Sequence, residues 1–211
     1  MKLIQKTALV LGFILTINIG NAAIVITGAT QSNTNLGLSN GNVLTDGALF
    51  TIGYYSSALS AGSFSSVTSA SDFLTGWTQL ASSTANLFDL SGLRSASVEL
   101  ATGVNTHVGK NLVMLVGNTG TIAGSSQIGV FSNSNWIVPA NPTDIPDAYG
   151  FDIGDVGTVA YFGSFSSGTG AYPPDVVNSA NLGAVIPEPS SASLLALGVA
   201  GLVALRARRK S

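Results

Sequence analysis

Short segments in which apolar and polar side chains alternate follow one another through the middle of the chain, separated by Gly, Asn, Ser and Pro. Period-two alternation over a few residues is typical of strands that bury one face. Turn residues at short intervals between such runs indicate an all-β domain. The pattern predicts strands at residues 24–27, 48–55, 96–100, 112–116, 127–131, 135–138 and 158–162, and either a last strand or the start of a stalk at 182–186.

The segment 36–44 has the pattern of a hairpin, with apolar residues on both sides of Asn40-Gly41. An Asn-Gly pair favours a two-residue type I′ turn, because both central positions of that turn have positive φ. Asp46-Gly47 marks a second turn before the strand predicted at 48–55.

One stretch, residues 71–80, follows a helical period instead. Phe73, Leu74, Trp77 and Leu80 fall on one helical face, and Ser71 is a suitable N-cap. We therefore expect one all-β domain over residues 23–184. The expected architecture is a two-sheet antiparallel β-sandwich, jelly-roll-like or Ig-like, with one short helix covering an end of the sheets.

The N-terminal residues 1–22 have the composition of a signal peptide. Lys2 and Lys6 precede an apolar run at 7–19, and small residues follow it. Cleavage after Ala22 is favoured over cleavage after Ala23, and an uncleaved anchor is the alternative. The segment predicts export by the Sec machinery.

The C-terminal segment has three parts in a fixed order. Pro187, Glu188 and Pro189 come first, an uncharged apolar run covers residues 190–205, and Arg206, Arg208, Arg209 and Lys210 follow. As a helix, the run would rise about 24 Å against a hydrocarbon core of about 30 Å, so it predicts a short transmembrane span. The basic residues after it place the C-terminus on the cytoplasmic side. The simpler alternative is a plain anchor with an incidental pair of prolines.

This arrangement resembles the PEP-CTERM sorting signal of exosortase substrates. The resemblance is limited to residues 185–211 and implies no fold or activity for the upstream domain. It implies recognition of the tripeptide by an exosortase-type integral-membrane cysteine protease, which releases or transfers that domain. It also implies a transient stay in the membrane and a bacterial host that makes exopolysaccharide.

Charge narrows the choice of partners. Outside the two terminal segments the chain has two basic residues, Arg94 and Lys110, against nine acidic ones, a net charge of −7. Phosphate neutralisation needs clustered Lys and Arg, so nucleic-acid binding is excluded. Cysteine is absent, which excludes disulfides, thiol nucleophiles and Cys-based zinc sites.

Histidine chemistry has little support in the sequence. His107 is the single histidine, and no Gly-x-Ser-x-Gly motif is present. A hydrolase triad needs a base beside a nucleophile, and a histidine-based metal site needs several imidazoles. We expect His107 to be an ordinary residue of a surface loop.

An acidic stretch forms the one cluster that resembles a site. Asp144, Asp147, Asp152 and Asp155 lie among Pro and Gly between residues 141 and 155, which predicts a loop. Carboxylates and carbonyls in such a loop suit calcium, although the spacing is not that of an EF-hand. The alternative is an acidic surface loop whose Asp side chains cap turns. Paired carboxylates also hydrolyse glycosides at separations of roughly 5 to 10 Å.

Aromatic side chains are candidates for stacking on sugar rings. We expect Trp77 and Trp136 in the core or at its end, and Tyr149 and Tyr172 exposed in loops. The full set of candidates is Tyr54, Tyr55, Trp77, Trp136, Tyr149, Tyr161 and Tyr172.

Three functions remain. The favoured one is a non-enzymatic exported protein that is sorted by its tail to the cell surface or the extracellular polymer matrix. The second is a module that binds polysaccharide, with or without calcium. The third, the most remote, is a glycoside hydrolase whose active site the sequence does not reveal.

Overall fold

The computed structural model describes residues 23–30, 34–85, 93–101, 106–140, 147–169 and 176–185. In these ranges the chain forms twelve strands and one 3-10 helix, Ala70–Leu74. The strands are β1 (Ala23–Ala29), β2 (Thr34–Gly37), β3 (Leu49–Tyr55), β4 (Trp77–Ser83), β5 (Ser95–Ala101), β6 (Asn111–Gly117), β7 (Gln127–Ile137), β8 (Asp147–Asp152), β9 (Val159–Phe162), β10 (Ser164–Thr169), β11 (Val176–Asn181) and β12 (Gly183–Ala184).

The strands form three sheets. Sheet I has the order β5-β1-β8, and sheet II has the order β10-β11-β2. Sheet III has the order β12-β7-β6-β3-β4, with β9 also paired to β7. The prediction of a mostly β domain is confirmed. The prediction of purely antiparallel sheets is wrong, because β8 runs parallel to β1 and β2 runs parallel to β11.

Strand β6 shows how the sequence builds the core. Leu112, Met114 and Val116 enter an inner apolar cluster, while Val113 and Leu115 enter an outer one. Because successive side chains of a strand point to opposite faces, an unbroken apolar run means that both faces of sheet III are covered.

The two clusters are covered by different parts of the chain. The inner cluster is shared between sheet III and strands of sheets I and II, through residues that include Ile24, Ile26, Leu36, Phe50, Met114, Phe131, Trp136, Phe151 and Ala180. The outer cluster is covered by the segment between β3 and β4, and it contains Phe64, Ala70, Phe73, Val113, Leu115, Ile122, Ile128, Val130 and Val185.

The helix predicted at 71–80 is wrong in its second half. The chain makes only the 3-10 helix Ala70–Leu74, capped by Ser69 rather than Ser71, and then enters strand β4 at Trp77. Gly76, with φ +71°, turns the chain between them. The helical face is not maintained, since Leu74 is 40% exposed while Phe73 is fully buried. The helical period from Phe73 to Leu80 covers only about two turns, and the pairing of β4 with β3 outweighs it.

The hairpin at 36–44 is confirmed, but its turn is not type I′. The N–H of Gly41 donates to the carbonyl of Leu38 (2.9 Å), and the N–H of Leu38 donates to Asn42 (2.7 Å). Gly41 has φ +83°. The loop therefore has three residues and ends in a left-handed glycine, the form that carries a β-bulge.

The other predicted strands are found with two changes. The strands predicted at 127–131 and 135–138 merge into the single strand β7, which ends at Ile137, and the run at 182–186 contributes the short strand β12. Strands β8, β10 and β11 were not predicted. Within the described residues, no helix has the length and hydrophobicity needed to span a bilayer.

Candidate functional site

The described residues end in a firmly held segment. Strand β12 pairs with the start of β7, Gly183 opposite Ile128 and Ala184 opposite Gln127. The N–H of Val185 then donates to the carbonyl of Ser126 (2.9 Å). The Val185 side chain is only 7% exposed and belongs to the outer cluster. The last described residue is thus buried two positions before Pro187.

Two side chains that are three positions apart hold this segment from opposite faces of sheet III. Leu182 enters the inner cluster and donates its N–H to Gly37 (2.8 Å), whereas Val185 enters the outer cluster. A Cβ at Gly183 would lie 2.7 Å from the ring of Phe162, so only glycine permits this close approach. Residues 182–185 are therefore held in place at the edge of sheet III.

The acidic stretch 141–155 is only partly the loop that its composition predicts: residues 141–146 lie outside the described residues, 147–152 form a strand and 153–155 belong to a turn. Asp147–Asp152 is strand β8, parallel to β1, because Phe151 is buried and Tyr149 is half-buried against the inner cluster. Asp147 begins this strand. Asp144 lies outside the described residues. Tyr149 is correspondingly not an exposed loop residue, and its hydroxyl donates to the carbonyl of Asn135 (2.8 Å).

The two remaining aspartates cap the turn that follows β8. Oδ1 of Asp152 accepts the N–H of Gly154 (2.7 Å). Oδ2 of Asp155 accepts both the N–H of Asp152 (3.0 Å) and the indole Nε1–H of Trp136 (2.8 Å). In the part of the chain that the structure describes, no three His, Asp or Glu side chains are grouped as metal ligands. The geometry of Asp152 and Asp155 fits the turn-capping alternative.

A cleft on the outer side of sheet III brings together a different set of groups. Its volume is about 450 Å³, and its lining includes Lys110, Asn111, Ser134, Ile137 and Tyr161. Ile137 is 45% exposed and Tyr161 is half-buried. The cleft thus offers an aromatic ring, an apolar surface and small hydrogen-bonding groups, and Lys110 in its wall adds a basic side chain whose Nζ lies over Tyr54, outside the lining. A sugar ring carrying a carboxylate would suit this combination.

His107 lies behind this cleft on Tyr54. Its Nδ1 is hydrogen-bonded to the Tyr54 hydroxyl (2.9 Å), and the Lys110 Nζ lies 5.8 Å from the centroid of the Tyr54 ring. The imidazole is thus bonded to a phenol. His107 is half-buried in the turn that precedes β6.

The other candidate aromatic residues are mostly structural. Trp136 is buried in the inner cluster, as predicted, and Trp77 is half-buried against the outer cluster. Tyr55 donates its hydroxyl to the carbonyl of Phe73 (2.8 Å), and burial raises the pKa of Tyr55. Tyr172 lies outside the described residues.

A protein-family profile, PEP-CTERM protein-sorting motif, matches residues 185–210. The chain carries a PEP-CTERM protein-sorting motif. This motif implies an exported protein that is processed by an exosortase and sorted to the cell surface. Comparison with curated proteins and comparison with solved structures each give no match.

The PEP-CTERM motif begins inside the folded domain. Val185, the first residue matched, is also the last residue held by sheet III. The sorting tripeptide Pro187, Glu188 and Pro189 and the basic residues Arg206, Arg208, Arg209 and Lys210 lie outside the described residues, as does Ala22. Ala23 is the first residue of β1, so cleavage after Ala22 would leave that strand whole.

Sequence reasoning missed the cleft and the role of Arg94. Lys110 and Tyr161 are far apart in the chain, and only the pairing of β6 and β9 with β7 brings them together. Arg94 is fully buried; its Nη2 donates to the carbonyl of Thr45, and its Nη1 lies 3.8 Å from Asp46. Burial lowers the pKa of Arg94, and the carboxylate of Asp46 opposes that shift. The sequence signal for this structural role is that Arg94 is the one arginine between the two terminal segments.

Proposed function

We propose that the protein is a non-enzymatic exported protein whose destination is set by its PEP-CTERM tail. Residues 1–22 direct it to the Sec machinery, residues 190–205 hold the precursor in the membrane, and an exosortase acts at the tripeptide. The processed domain then resides on the cell surface or in the extracellular polymer matrix. The observation that carries the proposal is the match of residues 185–210, which begins at the last residue that sheet III holds.

The absence of catalysis is supported by how the described polar residues are used. His107 is bonded to Tyr54, and Asp155 accepts hydrogen bonds from Trp136 and from the backbone. A glycoside hydrolase needs one carboxyl as acid and another as base or nucleophile, both facing substrate. Carboxylates that cap their own turn are poor candidates for those roles.

The proposal is tested by a matched pair of variants expressed in the exosortase-bearing host. Glu188→Ala removes the one charge of the tripeptide, and Glu99→Ala removes an exposed charge from β5. We expect Glu188→Ala to accumulate as a larger precursor in the membrane fraction, and Glu99→Ala to be processed like the wild type. Mature protein of normal size from Glu188→Ala would contradict recognition of the tripeptide.

A second function, binding of an acidic polysaccharide, is favoured by the cleft around Lys110 and Tyr161. Lys110 is one of only two bases in a domain of charge −7, and it is the exposed one. An ammonium beside an aromatic ring would bind a uronic acid through its carboxylate and its apolar ring face. Binding to a polyuronate should fall when either residue is changed to Ala, and it should be unchanged in Thr106→Ala. Equal binding by all three variants would reject this cleft as the site.

The packing of sheets I and II on one face of sheet III supports a β-sandwich as the fold type. Ile26 of β1 and Met114 of β6 share the inner cluster, the kind of contact that two facing sheets make. We extend the proposal to this architecture. An experimental structure in which sheets I and II do not face sheet III would exclude it.

A further inference from the structure

We infer that the end of the domain that carries Val185 faces the lipid headgroups while the precursor is anchored. The inference rests on the proposed membrane span at residues 190–205. It adds an orientation and an interaction surface, which the sorting motif alone does not specify.

The tether, the segment that joins Val185 to the apolar run, is too short for the domain to rotate and bring another surface to the bilayer. Five residue steps separate Val185 from Ser190, where the apolar run begins. A fully extended chain advances at most about 3.6 Å per residue, so Val185 lies within about 18 Å of the start of that run. Pro187 and Pro189 stiffen the tether, because each fixes its own φ and restricts the residue before it.

The point at which the tether joins the domain is also fixed. Leu182 and Val185 are held in clusters on opposite faces of sheet III, and β12 between them is paired with β7. The described chain therefore reaches Val185 at a defined point beside Ser126. A rigid exit and a short tether together limit which surface can approach the bilayer.

The surface around this exit is small and polar. Val185 borders a depression lined by Thr68, Ser69, Ala123, Gly124 and Ser126, among others. None of these residues is charged, and Asp72 nearby has its carboxylate occupied by the backbone N–H groups of Thr68 and Ser69. This surface offers no basic patch to anionic lipids, so the tether alone sets the orientation, and salt should not disturb it.

Lys110 and the cleft lie toward the other end of sheet III. The N–H of Val138, just after β7, donates to the carbonyl of Lys110 (2.9 Å), whereas Gln127 at the start of β7 pairs with Ala184. The register of β7 against β6 is regular as far as Ser132, so the six residue steps from Ser126 to Ser132 correspond to about 20 Å along the strand. The inferred orientation therefore directs Lys110 away from the bilayer.

Single-cysteine labelling tests the orientation, because the native chain has no cysteine. Ala123→Cys and Ser126→Cys place a fluorophore at the Val185 end, and Ser134→Cys places it near the other end; all three sites are exposed. The full precursor is reconstituted, without protease, into vesicles whose headgroups carry a quencher. We expect a larger loss of fluorescence at 123 and 126 than at 134, at both low and high salt.

A linker variant provides the matched control. Insertion of about sixteen Gly/Ser residues between Ile186 and Pro187 adds a flexible span of roughly 20–24 Å, so the difference between the two ends should disappear. Equal quenching at all three sites in the native-length precursor, or stronger quenching at 134, would overturn the inferred orientation. If the precursor fails to float with the vesicles, the proposed membrane anchor fails and the orientation fails with it. Flotation with no contrast between sites rejects the orientation alone.

Discussion

The indole Nε1 of Trp136 donates a hydrogen bond to Oδ2 of Asp155 over 2.8 Å. Trp136 is only 2% exposed and lies at the end of β7, while Asp155 belongs to the turn after β8. The same oxygen also accepts the N–H of Asp152 (3.0 Å). One carboxylate thus joins the core of sheet III to the turn that leads into β9.

Asp155→Ala should destabilise the domain by about 1–3 kcal/mol, because it leaves a buried indole N–H without its acceptor. Asp155→Asn keeps an oxygen at the same position and should cost less. The free energy of unfolding in urea measures both, with Glu99→Ala as the exposed control. An Asp155→Ala variant as stable as the control would show that this bond contributes nothing.

Calcium should leave the stability of the domain unchanged. Asp152 and Asp155 accept hydrogen bonds from the turn that they cap, so their geometry is set by the backbone rather than by a cation. The melting temperature should be the same in calcium and in chelator. A rise that Asp152→Asn abolishes would favour a calcium site, because a ligand that binds only the native state stabilises it.

Lowering the pH should remove the stabilisation that the ionised Asp72 side chain gives to the folded state. The backbone N–H groups of Thr68 and Ser69 hold the pKa of this carboxyl below its usual 3.8. A depressed pKa means that the stabilisation is complete above the unfolded value and is lost as pH falls through the folded value. The difference in unfolding free energy between wild type and Asp72→Asn should therefore shrink as pH falls from about 5 to about 2. A pH-independent difference would contradict this assignment.

Arg94 should be the costlier of the two basic residues to remove. Its guanidinium is buried, bonds the carbonyl of Thr45 and lies near Asp46, whose side chain is 76% exposed. Arg94→Ala should cost on the order of 3 kcal/mol through lost packing and an orphaned carbonyl. Lys110→Ala, at an exposed site, should change stability by no more than about 0.5 kcal/mol. Equal effects in urea unfolding would contradict the structural role of Arg94.

The sequence predicts those parts of the fold in which local pattern and tertiary pairing agree. Strand β6 is an uninterrupted apolar run, and it is found where predicted. Residues 71–80 have a helical period, yet Gly76 and the pairing of Trp77 with Tyr55 make the second half a strand. Strand β10 has the composition of a loop, and its pairing with β11 is not visible in its own residues.

The candidate sites divide in the same way. The sorting motif is contiguous and was recognised from its order of residues alone, as the family match confirms. The cleft is not recognisable from the sequence, because Lys110 precedes β6, Tyr161 lies in β9, and these two strands are joined through β7. The composition of the acidic stretch predicts a loop, because its Asp, Pro and Gly residues conceal the alternation that buries Phe151 in β8.

The intact mass of the mature protein, isolated from an exosortase-bearing host, tests the central claim most directly. The account predicts a chain that begins at Ala23 and lacks the apolar run and basic residues after the tripeptide, with any added group appearing as extra mass. Recovery of the unprocessed 211-residue chain would contradict it.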